Sequence, residues 1–146
     1  MERTTVTTSR ILTWSGLIPF AGLALIAGLG APEWLGLLLT AYAALILSFM
    51  AGTLWTQQLL VGKTGPNMLI ASNALVLAAW PAVLMPVHWA STWLGVLFAA
   101  HLLLEAPWRR DGLPGWYRHL RLAVSLAAIV LLLTGGLVGM GVAFNA

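Results

Sequence analysis

Residues 34–61 read WLGLLLTAYAALILSFMAGTLWTQQLLV, 28 positions without a charged side chain. A helix rises about 1.5 Å per residue, so about 20 residues cross a hydrocarbon core of about 30 Å. This stretch is long enough to span with tilt. Four further apolar stretches, 11–29, 67–86, 87–106 and 117–143, come close to the same length. Together they predict an all-α, polytopic membrane protein. It is a compact bundle of five transmembrane helices, with residues 1–146 forming one domain and little lying outside the membrane.

Composition agrees. The chain is 60% hydrophobic and 8% charged, against about 25% charged in ordinary soluble domains. A soluble enzyme domain, a nucleic-acid reader and a secreted disulfide scaffold are excluded together. The net charge of +3 comes from seven basic residues, read here as topology signals and lipid contacts rather than nucleic-acid contacts. There is no cysteine, hence no disulfide, thiolate ligand or Cys nucleophile. Arg3 and Arg10 before Ile11–Leu29 imitate a signal peptide. The apolar run exceeds the usual h-region, Pro19 interrupts it, and Pro32 follows the small residues, so an uncleaved first span is expected.

The basic residues set the orientation. Arg3 and Arg10 precede the first span, Lys63 follows the second, Arg109 and Arg110 lie between the fourth and fifth, and Arg118 and Arg121 begin the fifth. The positive-inside rule places these segments in the cytoplasm, with the N-terminus inside and the C-terminus outside. Short connections make consecutive spans antiparallel neighbours. No internal repeat of the transporter kind is visible. Trp14, Trp34, Trp89, Trp108 and Trp116 fall at span ends, as an interfacial aromatic belt requires. Trp55, Trp80 and Trp93 lie deeper and are expected to face protein, where an indole N–H finds a partner.

Small residues mark packing. Thr40, Ala44, Ser48, Gly52 and Thr56 recur at i, i+4. Lipid supplies no hydrophobic drive between helices, so close backbone approach is what joins them. The second span is therefore expected to be the central helix, with Ala44, Ser48 and Gly52 at its contacts. Gly135 and Gly139 form a G-x-x-x-G pair on the fifth span. That pair suits a contact within the chain or, as the weaker alternative, a homodimer. Pro19 and Pro81 should kink their helices.

Gly62-Lys63-Thr64 imitates the end of a phosphate loop, but the glycine required five positions earlier is Gln57. His88 and His101 have no matching pair on a second span, so haem is not expected. No catalytic residue, metal site or cofactor is assigned. The informative pair is His101 and Glu105, four apart and on one helix face. An intramembrane ionisable group is by default a functional candidate. Thr53, Trp55, Gln57, Asn73, Arg118 and Arg121 are expected at similar depth, with Gln58, Thr13 and Ser15 nearby. The functional reading is a cytoplasm-facing pocket for a headgroup, a quinone or a proton. The structural reading, which is favoured, is a hydrogen-bonded knot. In it Glu105 pairs with Arg121 or Arg10, and His101 with Asn73 or a backbone carbonyl.

Four blocks carry a family resemblance. They are Trp14-x-Gly16-Leu17-Ile18-Pro19-Phe20, Tyr42-x-x-x-Ile46-Leu47-Ser48-Phe49-Met50-x-Gly52-x-x-Trp55, Asn73-Ala74-Leu75 with Trp80, and Asp111-x-Leu113-Pro114-x-Trp116-Tyr117-x-x-Leu120-Arg121. Together they resemble the domain-of-unknown-function family 3429, whose animal members are called transmembrane protein 69. The family pattern has a His before the tryptophan at position 55, where this chain has Leu54, so no role of that His carries over. The resemblance implies an integral protein of bacterial or mitochondrial inner membranes and supplies no activity. The function expected is a small inner-membrane protein that binds a lipid or quinone, or assists a larger membrane complex. Its partners would be membrane lipids, with another membrane protein or a second copy as options. The alternative is a small transporter or proton-handling protein using His101 and Glu105. A lipid-modifying enzyme is third.

Overall fold

The computed structural model describes residues 3–29, 32–61, 66–106 and 114–145. Every element in them is helical: α1 Arg3–Ser15, α2 Ile18–Leu29, α3 Glu33–Val61, α4 Asn67–Ala79, a 3-10 helix Trp80–Leu84, α5 Val87–Glu105 and α6 Gly115–Asn145. Four of the described helices are long and apolar enough to cross a membrane, over 34–56, 67–84, 87–105 and 115–141. Lys63, Arg109, Arg110, Trp108 and the Gly62-Lys63-Thr64 imitation lie outside the described residues.

The first apolar stretch, 11–29, is not one helix and is not among those four, against the five spans expected. It breaks at Gly16–Leu17, between α1 and α2. Pro19 has no N–H to donate to the Ser15 carbonyl, so the ladder is interrupted one turn upstream of it. The Leu17 N–H turns instead to the Trp14 carbonyl at 3.0 Å, and the Tyr42 hydroxyl of α3 donates to the Gly16 carbonyl at 3.1 Å. Pro81 acts likewise: α4 stops at Ala79 and the chain tightens into the 3-10 turn that carries it. Both kinks stand where the prolines predict them.

Consecutive helices pack as neighbours, and α5 lies closely on α6. The central helix is α5, not the second span. It packs on α2, α3, α4 and α6, and it is the most buried of the four candidate spans. Its inward face is wide because Ala90-Ser91, Leu94-Gly95, Leu97-Phe98 and His101-Leu102 are adjacent pairs, each pair spanning about 100° of the helix. Buried hydroxyls join the helices: Ser91 donates to the Leu132 carbonyl at 2.7 Å and Ser72 to the Ala51 carbonyl at 2.8 Å.

The small stripe of α3 corrects a second expectation. Thr40 and Ala44 are buried, Ser48 is half-buried, and Gly52 and Thr56 are exposed. A Cβ on Gly52 would meet nothing within 4 Å. Four residues turn a helix by about 400°, so an i, i+4 row drifts about 40° per step and walks off any fixed face. The interior of α3 is Ala43, Leu47, Ala51, Leu54 and Gln58. Gly135 and Gly139 of α6 are both buried. A Cβ on Gly135 would lie 2.9 Å from the Ala24 backbone of α2, so this glycine admits a contact within the chain.

The deep tryptophans also differ from expectation. Trp80 is 74% exposed, and Trp55 and Trp93 are exposed as well. Trp93 nevertheless satisfies its indole, donating to the Ala78 carbonyl at 2.7 Å while its ring stays outside. Trp80 sits past the end of α4, in the 3-10 turn, with its ring on the outer surface.

Candidate functional site

The polar side chains converge at the end of the bundle where α3 and α5 finish and α6 begins. Glu105, on the last turn of α5, is fully buried, and so is His101 one turn earlier. The Glu105 carboxylate pairs with Nε of Arg121 on the second turn of α6, a residue 7% exposed. Arg121 Nη2 donates to Thr53 Oγ1 of α3 at 2.7 Å, and Nη1 to the Tyr117 hydroxyl at 3.3 Å. One guanidinium thus ties three helices and Tyr117. Thr53 in turn donates to the Met50 carbonyl at 2.7 Å. His101 Nε2 lies 3.0 Å from that same carbonyl, which can only accept, so Nε2 carries the hydrogen.

Two buried charges in an apolar medium are tolerated when they neutralise one another and their remaining donors are engaged. The knot meets the first condition, and it engages three of the five guanidinium N–H groups. Of the pairings open from sequence, Glu105 takes Arg121, and His101 takes a backbone carbonyl.

The remaining predicted positions separate. Thr53, His101, Glu105 and Arg121 come together. Arg118 is half-buried on α6 beside the knot, and Trp55 faces outward. The Gln57 side chain lies outside the described residues, whereas Gln58 is buried. Asn73 does not join: it is exposed, and its amide donates to the Leu69 carbonyl of its own helix at 2.9 Å. The inward residue of that turn is Ser72, 100° around the helix.

Beside the knot lies a cavity of about 390 Å³, within the range of about 300–1,000 Å³ typical of small-molecule sites. Close helix packing among the described residues does not include α3 with α6. The cavity is the gap between those two, closed by α1 and α2. Ile46, Phe49 and Met50 form one wall, Tyr117, Arg121, Val124 and Ser125 the other, and Phe20 and Phe98 also line it. Those two rings meet edge-on at 5.5 Å, and Phe20 also meets Tyr42 edge-on at 5.8 Å. Phe49 is 74% exposed, so this wall reaches the outside of the bundle. Sequence reading missed Tyr117 and Ser125 as site residues. Their i, i+4 spacing through Arg121 was the available signal.

No curated protein and no solved structure matches the chain. A family model described as "Protein of unknown function (DUF3429)" matches residues 5–137. That match takes in the broken first helix, both walls of the cavity and the Glu105–Arg121 pair, and the chain belongs to this family.

Proposed function

We propose that this chain is a small inner-membrane protein that holds a membrane-soluble amphiphile, a lipid or a quinone, in the cavity between α3 and α6. It serves as a binding or accessory component rather than an enzyme. The observation that carries this reading is an apolar cavity placed against a neutralised Arg121–Glu105 pair. An apolar body with a polar end fits such a space. The lipid-side position of Phe49 supports entry from the bilayer. Proton handling is the weaker reading, because Glu105 is engaged by Arg121 and His101 by the Met50 carbonyl. The charge pattern supports a bacterial inner membrane with the N-terminus in the cytoplasm. Alkaline phosphatase should then be active when fused after Ala146 and inactive after Lys63.

Native mass spectrometry of protein extracted in mild detergent tests the reading. The unchanged protein should retain a lipid-sized or quinone-sized adduct. Val124→Trp and Ile46→Trp, which fill the cavity from opposite walls, should lose it while remaining monodisperse and helical. Identical adducts in all three proteins would overturn the reading, as would none in any.

A further inference from the structure

We infer that the cavity selects an uncharged amphiphile that presents a carbonyl oxygen, and discriminates against an anionic headgroup. This rests on the cavity being a ligand site, as proposed above, and adds the chemistry of the ligand.

The argument comes from the hydrogens left in the lining. Ser9 and Thr13 border the cavity, but each donates its hydroxyl along its own helix, Ser9 to the Thr5 carbonyl at 2.8 Å and Thr13 to the Ser9 carbonyl at 2.7 Å. Ser125 differs. It is 3% exposed, it lines the cavity, and among the described residues its Oγ has no hydrogen-bond partner. A buried hydroxyl ordinarily finds one. Tyr117 also lines the cavity. Its oxygen accepts from Arg121, which leaves its own O–H hydrogen to donate. The polar lining therefore offers donors, from Ser125 and Tyr117. The complementary ligand group is an acceptor.

Charge decides which acceptor. Among the described residues Arg121 is the cation of the lining, and Glu105 cancels it at contact distance. Three of the five guanidinium N–H groups are directed at Glu105, Thr53 and Tyr117. A phosphate brought here would lose its hydration without gaining a net counter-charge, which is costly in an apolar site. A carbonyl loses far less. Quinones and uncharged glycerides share that chemistry.

The test offers decylubiquinone, dioleoylglycerol and dioleoylphosphatidylglycerol separately to delipidated full-length protein, with binding titrated by native mass spectrometry. At least one neutral probe should bind at least about tenfold more tightly than the anionic lipid, and the one that does identifies the source of the carbonyl. Ser125→Ala should weaken the neutral probe by about 5- to 10-fold, as loss of one hydrogen bond predicts. Tyr117→Phe should weaken it by a similar factor. Both variants keep the fold if they elute as monodisperse, helical protein. Tighter binding of the anionic lipid, failure of both neutral probes, or neutral binding untouched by both variants overturns the inference. If Val124→Trp still removes a native adduct in those cases, the cavity remains a ligand site and only its assigned chemistry falls.

Discussion

The two halves of α6 follow one inward row and do opposite things with it. Tyr117, Arg121 and Ser125 occupy the first half and border a cavity. Leu132, Gly135 and Gly139 occupy the second and are buried against neighbouring helices. Large polar side chains hold α6 away from α3. They reach across the gap for partners, and space remains between them. Glycines let α6 settle on α2 and α5: added Cβ atoms would meet the Ala24 backbone at 2.9 Å at Gly135, and the His88 carbonyl at 3.0 Å at Gly136. One half borders a cavity, and the other closes the bundle.

The largest effect expected is on the polar half. Glu105→Gln leaves Arg121 as an uncompensated buried charge and should destabilise by about 3–5 kcal/mol. Adding Arg121→Gln should recover part of that loss, because the penalty belongs to the unpaired partner. Thermal unfolding in detergent, followed by circular dichroism, reads both. If Glu105→Gln is neutral, the ion pair does not brace the cavity and the contrast between the halves fails.

Next comes the close-packed half. Gly135→Leu forces its side chain against backbone rather than a yielding side chain. It should cost about 1–3 kcal/mol or more. The same unfolding measurement applies, with gel filtration for aggregation. Tolerance of Leu at 135 would mean that α6 can lift from α2, and that the second half is as open as the first.

The smallest effect sharpens the contrast from outside α6. Gly52 belongs to a longer row of small residues than the α6 glycines do, yet Gly52→Leu should change stability by less than about 0.5 kcal/mol. Leu54, 1% exposed two positions on, should cost about 2–5 kcal/mol as Leu54→Ala. The sequence pattern alone orders these two the other way round. A larger loss at Gly52 than at Leu54 would show that the outer face of α3 is covered by something beyond this chain.

The Glu105–Arg121 pair was legible because charge is rare in an apolar chain. Two opposite charges at the same end of adjacent spans have few other partners. The kinks at Pro19 and Pro81 were legible because a missing N–H acts locally. Asn73 was misplaced by a single position: Ser72 turns inward and Asn73 lies against its own helix. Gly52 was misplaced because a spacing of four is not the helical period. Ser125 was passed over because a lone serine in an apolar helix looks inert until its neighbours are known.

By itself the sequence determined the solvent of each segment: which stretches are apolar enough for lipid, where they end, and which residues break them. Hydropathy is a property of the segment alone, and prolines and charges speak for themselves. The tertiary structure decided which way each helix faces, and with that the cavity, its two available hydroxyls and the seat of the glycines. In water the inward face of a helix declares itself by being apolar. In lipid the outward face is as apolar as the inward one, so rotation about the helix axis is set by neighbouring side chains rather than by any pattern within the segment.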